Sequence, residues 1–475
     1  MNSTIEPLQT LLESWAREAQ VPGAAVGLVH GAEEHILTTG VTSVKAPAPV
    51  DADTLFMIGS TTKTFTGALI MALIEDGTLD LDMPVTTCLP GLALADEGAR
   101  AALTIRHLLT HTGGFAGDYR PRPGWDDDAL TRAVAGFADL PQIFAPGEVF
   151  SYSNAGMLLA GHLAATAAGV SYEDLVRTRI LTPLGLGSSF FLPGEVLGRR
   201  HALGHGLRDG APVVAPAIVL TRDAGPAGGL WSSARDQTAW ARFHLAGHTE
   251  GTRPIRDAAR AAMAAPQRRA ALHYQTVGLT WLHTRHGRAI LTLHEGNVSG
   301  MQISAFVMLP ERQFAVTVLT NSPGGGALVP RVVGWCLENI AGLPRLPRRP
   351  VQERAETDVQ RYLGRYDAGQ LSFTFTHGRD GLRANVRYDS AAFPDTQNGP
   401  PPIRLVFTGE DEFAHAADTR TPLGRFLCDP DGRSWAVELG GRTAVRSTRA
   451  AADGIVPPPR ADRSVHSGKN EKATH

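Results

Sequence analysis

The chain has 475 residues, 43% hydrophobic and 19% charged, with a net charge of −2. At typical domain sizes of ~100–200 residues this predicts two domains, or one large domain with an appendage, and excludes a single small module. The near-neutral charge excludes electrostatic recruitment to nucleic acid or anionic lipid, and the absence of any apolar run of about eighteen residues excludes a membrane-spanning helix. Lysine is scarce: only four of the 45 basic residues are lysine, namely Lys45, Lys63, Lys469 and Lys472.

In chain order, Leu8, Leu11, Leu12 and Trp15 recur at helical spacing in a start that carries acidic residues and no basic cluster. They predict an amphipathic surface helix rather than a secretory signal, and with it a cytoplasmic protein. Cys88, Cys336 and Cys428 lie far apart and form no CxxC pair, which predicts neither a disulfide framework nor a metal site. Pro22 and Gly23 open the run AAVGLVHG, and EEHILTTGVTSV follows a short turn, so a hairpin is expected. From Ser60 onward, Phe65, Leu69, Leu73 and Ile74 have helical periodicity and Gly77 supplies a stop. Residues 84–270 are Ala-rich and helical in character, broken repeatedly by Gly and Pro.

Strand character returns at TVGLTWLHT, RAILTLHE, MQISAFVMLP and FAVTVLTNS, within 276–322, before a helix carrying Val333, Trp335, Cys336 and Ile340. This order predicts an α+β fold whose antiparallel sheet is assembled from both ends of the segment, flanked by helices with a helical subdomain between. Residues 343–358 are rich in Pro and charge and read as a linker between a domain at 1–342 and a second at 359–449. That second region alternates through QLSFTFTH, GLRANVRY, IRLVFTG, EFAHA, RFLCDP and SWAVELGG, the pattern of a small antiparallel β-barrel. Residues 450–475 are expected to be a disordered tail.

Three motifs carry chemistry. Ser60-Thr61-Thr62-Lys63 places a serine and a lysine at i and i+3, on one helix face and within hydrogen-bonding reach. Burial lowers a lysine's pKa and lets it act as a base, which arginine cannot do. In a chain so poor in lysine, a chance S-x-x-K is much less common than usual. The phosphate-loop alternative for GSTTKT fails because Thr62, not Gly, precedes Lys63. Tyr152-Ser153-Asn154 follows the turn at Pro146-Gly147; a Tyr hydroxyl relays protons where a neighbouring cation lowers its pKa, and an Asn orients an amide or the lysine. His294-Glu295-Gly296-Asn297 ends the strand RAILTL, where Gly296 admits a substrate backbone and the Asn297 N–H is an oxyanion donor.

In this order the motifs resemble the serine β-lactamase and penicillin-binding-protein superfamily, in its class C β-lactamase, DD-peptidase and esterase branch. LLTHTGGF, FAPGEVFSYSNAGMLLAGHLA and AGPAGGLWSSARDQTAWARF are similar to family segments, and the resemblance covers about residues 10–342. The C-terminal region is similar to lipocalin-like barrels appended to such hydrolases. The resemblance implies a β-lactamase-like fold and an acyl-enzyme on Ser60, with Lys63 and Tyr152 sharing the proton transfers. Asn154 would bind substrate and Lys63, and the N–H groups of Ser60 and Asn297 would form the oxyanion hole.

By the same resemblance His294 replaces a lysine that docks carboxylates in many relatives, and no arginine is placed by the sequence to compensate. With the lack of a secretion signal, this points away from an antibiotic-resistance enzyme or cell-wall peptidase and toward an intracellular esterase, amidase or peptidase. No cofactor and no metal are implied, and the partner is a small-molecule or peptide ester or amide. Two alternatives stand: an acyltransferase or peptide-cyclising thioesterase using the same acyl-enzyme, and a catalytically silent binding protein. The barrel is open to three roles: capping the cleft, restricting substrate size or holding homodimer contacts. His107 with His111, and His201 with His205, have zinc-like spacing but are read as ordered or surface histidines. Asp126–Asp128 reads as a solvated helix start, and the glycine-rich run around residue 228 as a turn bordering the cleft.

Overall fold

A computed structural model of the chain describes residues 2–215, 220–247, 249, 251–378, 381–388 and 401–447, with side chains from residue 5 onward. The expected tail at 450–475 lies outside the described residues. Helix α1 (Asn2–Glu18) buries Leu8 and Leu12 completely, as its periodicity requires. Strands β1 (Gly23–His30) and β2 (Glu33–Gly40) form the expected hairpin, paired from Gly23↔Gly40 to His30↔Glu33.

Helix α2 (Thr62–Glu75) follows a single 3₁₀ turn at Gly59–Thr61, so Ser60 stands just before the helix instead of opening it. Twelve of its fourteen residues are buried, so this is a central helix covered on all sides, not an amphipathic one. A buried helix rich in threonine needs a partner for every hydroxyl. Thr64 Oγ1 donates to Thr61 O at 2.8 Å, Thr66 Oγ1 to Pro226 O at 2.8 Å, and Thr62 Oγ1 accepts from the Leu230 N–H at 3.2 Å. Phe65 stacks on Trp240 with ring centroids 4.1 Å apart, joining α2 to the core.

Helix α3 (Asn154–Ala168) and helix α4 (Ala234–Ala246) pack against this centre, each ending at a left-handed glycine, Gly169 and Gly247. The returning strands are β3 (Arg268–Arg269), β4 (Thr276–Val277), β5 (Leu282–His286), β6 (Ala289–Val298), β7 (Gln302–Leu309) and β8 (Phe314–Thr320). They complete an eight-stranded sheet ordered β2-β1-β8-β7-β6-β5-β4-β3, with β1 antiparallel to β8. The sheet is thus built from both ends of the segment. The expected single strand TVGLTWLHT is divided, because Thr280 takes a positive φ of 73° between β4 and β5. Strand β6 carries His294–Asn297 at its end, as expected, and runs on to Val298, two residues past Gly296: residues 292–298 stay paired with β7. Helix α5 (Gly325–Asn339) closes this part against β8.

The second part is a closed antiparallel barrel of β9 (Gly364–Asp367), β10 (Leu371–Gly378), β11 (Gly381–Tyr388), β12 (Ile403–Phe407), β13 (Glu412–His415), β14 (Gly424–Cys428), β15 (Ser434–Leu439) and β16 (Arg442–Arg446). Two of these, β9 and β16, were not anticipated; each is short, and they close the barrel through Tyr366↔Arg446. Its interior is filled with aromatic rings, among them Tyr362, Phe375 and Phe413 around Phe426, with centroids 4.4, 4.8 and 5.1 Å from it. Residues before it are tied to its surface, as in Gln352 N–H to Phe407 O at 2.9 Å. Cys88, Cys336 and Cys428 are all unpaired thiols. Among the described residues no helix is long and apolar enough to cross a membrane.

Candidate active site

The turn at Gly59–Thr61 and the first turn of α2 bring Ser60 and Lys63 together. Lys63 is fully buried, and its Nζ sits 3.0 Å from Ser60 Oγ, 2.8 Å from Asn154 Oδ1 and 2.6 Å from the carbonyl oxygen of Ala227. The two carbonyl oxygens only accept, so a neutral amine gives both its N–H groups to them and its lone pair to the Ser60 hydroxyl. Burial, reinforced by Arg442 and only partly offset by Asp118, holds the Lys63 ammonium well below the ordinary lysine range. Desolvation disfavours the charged form of any lysine held away from water.

The second motif is positioned by a helix cap. Ser153 precedes α3 in extended backbone, and its hydroxyl accepts the Gly156 N–H at 2.9 Å. This fixes Tyr152 before the helix and Asn154 as its first residue. The Tyr152 ring lies 4.9 Å from Lys63 Nζ. Its phenol is pushed up by burial, which outweighs the opposing hydrogen bond to Ser60 and the charge of Arg442. The cation that a relay tyrosine needs is thus present beside the ring, but burial outweighs it and leaves the phenol above the ordinary tyrosine range.

Two buried histidines flank that ring. His111 stacks on it with centroids 4.5 Å apart, and its Nδ1 accepts the Ser153 N–H at 3.2 Å. His294 lies 6.0 Å away on its other neighbour, β6. Burial, the largest cause, keeps both uncharged, His294 with a pKa lowered to about 3. His111 thus serves the site rather than a metal pair with His107, whose Nδ1 instead accepts the Thr104 N–H in a helix cap. His205 accepts the Val44 N–H at 3.2 Å.

Gly296 has a different use from the one its sequence suggested. A Cβ there would stand 2.0 Å from Ile58 O and 2.3 Å from Ser304 Oγ, so its missing side chain admits the backbone before Ser60, not a substrate. A Cβ on Gly59, whose φ is +52°, would lie 2.9 Å from Asn297 N. The turn that carries Ser60 and residues 296–297 of β6 are therefore pressed backbone to backbone. The run Gly225–Gly228 is a short helix whose end supplies the Ala227 carbonyl to Lys63 and borders the cleft.

Sequence reasoning missed Asp118, Tyr274, Glu295 and Arg442. All four line the same cleft of about 940 Å³ as Ser60, Tyr152, Asn154, His294 and Asn297. Arg442, the first residue of β16, lies 4.9 Å from the Tyr152 ring and places a cation at the site that no sequence signal announced. Its guanidinium forks onto Asp118, with Nη2 to Oδ1 at 2.9 Å and Nε to Oδ2 at 3.1 Å. Burial pushes Asp118 up, but Arg442, by charge and hydrogen bond, and then Arg120 hold it below the usual carboxylate range. Glu295 is exposed at the cleft and accepts from Tyr274 Oη at 3.1 Å. Asp118 follows the noted segment LLTHTGGF, and Arg442 follows a Gly-Gly turn; proximity to those features was the only available signal.

The barrel docks beside these groups. The Tyr152 N–H donates to Gly441 O at 2.9 Å, Thr443 Oγ1 to Phe150 O at 2.8 Å, and the Leu272 N–H to Glu438 Oε2 at 2.9 Å. Of the three roles left open for the barrel, these contacts place its β15–β16 turn on the cleft wall.

Comparison with known proteins agrees with this layout. The family described as Beta-lactamase matches residues 2–331. Penicillin-binding protein 4 of Amycolatopsis lactamdurans is 34% identical over 376 residues, covering 76% of this chain and 96% of that protein. The crystal structure of SurE is 27% identical, covers 94% of this chain and 100% of its own, barrel included, and superposes with a TM-score of 0.71; a further structure holds SurE with D-Leu. The D-amino acid amidase from Ochrobactrum anthropi SV3, complexed with L-phenylalanine amide, is 25% identical over 71% of this chain and 99% of its own, with a TM-score of 0.58.

Proposed function

The chain belongs to the beta-lactamase family of serine hydrolases, and from that premise we propose that it cleaves an ester or amide (peptide) bond through an acyl-enzyme on Ser60. The observation that carries this reading is the three-fold contact of Lys63 Nζ. Two of its contacts are obligate acceptors, which leaves the third direction, toward Ser60 Oγ at 3.0 Å, for the lone pair. Lys63 takes the Ser60 proton as the hydroxyl attacks the substrate carbonyl. Charge developing on the carbonyl oxygen falls to the N–H groups of Ser60 and Asn297, which flank the close backbone approach of Gly59 to residues 296–297. Tyr152, kept protonated by burial, relays a proton to the leaving group and later receives one from the incoming nucleophile. His294, uncharged at working pH, offers no cation for a substrate carboxylate, and Arg442 is occupied by Asp118.

For substrate, the likeness to SurE, which has been seen with D-Leu, and to a D-amino acid amidase supports an acyl group bearing a D-residue. A cleft of about 940 Å³ takes a peptide-sized ligand. One observation favours a second fate for the acyl-enzyme. The exposed Glu295 carboxylate, held by Tyr274, gives the cleft an anionic group suited to an incoming amine. In that case the amine nitrogen attacks the Ser60 ester, the C–O bond breaks and an amide forms, the amine's proton passing to Tyr152 while Lys63 returns a proton to the departing Ser60 Oγ.

The test is pre-steady-state kinetics with a p-nitrophenyl ester of a D-amino acid. A burst stoichiometric with enzyme, and an acyl adduct on Ser60 by intact mass, are expected. Ser60→Ala should lose both; a burst that survives in that variant rules the reading out. Added amines that raise turnover and yield amide product identify acyl transfer.

A further inference from the structure

The amide of Asn154 has two faces, and its neighbours decide which one Lys63 sees. Its Nδ2 donates to Asp118 Oδ1 at 3.2 Å, while its Oδ1 accepts from Lys63 Nζ at 2.8 Å. An ionised carboxylate only accepts, so it selects the NH₂ end of the amide and turns the oxygen toward the lysine. With the amide reversed, its NH₂ would donate into the lone pair of a neutral Lys63, and that lone pair would no longer face Ser60. The carboxylate is itself fixed from two sides. Arg442 of the barrel grips both its oxygens, and Gly117 O, one residue earlier, accepts the N–H groups of Asn154 and Ala155 at 2.8 and 3.0 Å. Asp118 is buried, so no water competes freely for these contacts.

We propose that Asp118 is a positioning residue that sets the orientation of the Asn154 amide, and through it the direction of the Lys63 lone pair, and that the barrel holds Asp118 in place with Arg442. This rests on Lys63 being the base. It makes the barrel part of the base's hydrogen-bond network and not only a cover for substrate. The chain of contacts runs from Arg442 to Asp118, Asn154, Lys63 and Ser60 without a gap among the distances above.

Two opposite effects on pH dependence follow, because Asp118 and Arg442 bear opposite charges. The groups that face Lys63 are Ser60 before its own helix, Asn154 and Tyr152 at the start of α3, the Ala227 carbonyl, Asp118 and Arg120 from the preceding loop, His111, His294 on β6 and Arg442 on β16. Of these, Asp118 favours the charged lysine, Arg442 and Arg120 oppose it, and the histidines are neutral.

The experiment measures the burst rate of the full-length protein against pH for Asp118→Asn, Asp118→Ala and Arg442→Gln, with thermal melts and near-UV circular dichroism to establish folding. The expected result for Asp118→Ala is a plateau acylation rate lower by on the order of 10²-fold, the cost of a misdirected reacting group, with the ester's KM within about two-fold. The acidic limb should move to lower pH in Asp118→Asn and to higher pH in Arg442→Gln. Loss of fold alone would reduce the burst amplitude and leave the limb where it is. Folded variants with wild-type plateau rates and an unmoved limb would overturn the proposal. If instead the wild-type protein shows no Ser60 adduct, or Lys63→Met keeps the burst, it is the acyl-enzyme reading that fails, which separates the two.

Discussion

Replacing Lys63 with methionine, which keeps its length and removes its nitrogen, should abolish acylation and at neutral pH stabilise the fold. Lys63 is fully buried, and burial followed by the charge of Arg442 lowers its pKa well below the ordinary value. A lysine neutral in the fold but titrating near ~10.4 in the unfolded chain gives the unfolded state an extra proton at pH 7, which costs the fold up to about 5 kcal/mol. Against this stand the hydrogen bonds lost. Ser60 is only half-buried and faces the cleft, so its hydroxyl rehydrates; the loss falls on Asn154 Oδ1 and Ala227 O. Two buried acceptors left bare cost about 1–2 kcal/mol each. The methionine variant should therefore be more stable at pH 7, by up to about 3 kcal/mol.

The sign with pH follows from the same proton. Because the folded pKa lies below the unfolded one, unfolding takes up a proton between the two, and wild-type stability climbs as pH rises toward ~10.4, by at most about 1.4 kcal/mol per unit. The variant lacks that slope, so its advantage shrinks with rising pH. Denaturant melts at pH 7 and 9 can follow tryptophan fluorescence, since Trp240 stacks on Phe65 of the same helix and reports its release. The burst rate should fall by at least about 10²-fold, the ordinary contribution of a general base. A variant less stable than wild type at pH 7, with a difference that stays flat to pH 9, would show that Lys63 is charged in the fold and refute the reasoning.

Gly296→Ala places a methyl group 2.0 Å from Ile58 O, a backbone atom that cannot yield, and 2.3 Å from Ser304 Oγ. Strand β6 must move away from the Ser60 turn; a stability loss of about 1–3 kcal/mol by melting and a fall of about ten-fold or more in burst rate are expected. Glu295→Gln removes the carboxylate at the cleft. As that group is exposed, the effect should be small, up to about five-fold, raising kcat/KM for esters with a free carboxylate and lowering the share of acyl-enzyme captured by amines. Product analysis by mass spectrometry measures that share, and an unchanged ratio would remove Glu295 from the amine-binding role.

The spacing Ser60–Lys63 was legible because i and i+3 meet on any helical turn, whatever surrounds it. Tyr152 and Asn154 were legible as a triplet in its place among the motifs, while the serine cap that fixes them came from the structure. The hairpin, the two-ended sheet and most barrel strands followed from alternation and turns. What the sequence alone did not determine is everything that depends on distant chain. Asp118 and Arg442 are 324 residues apart and meet only because the short strand β16 closes the barrel onto the cleft. Gly296 showed that some backbone must come close, while the fold decided that it is the one leading to Ser60. Scarcity of lysine marked Lys63 out. The base role proposed for it, however, depends on complete burial and on which ends of Asn154 and Ala227 it meets, and only packing sets the local dielectric and the direction of a lone pair.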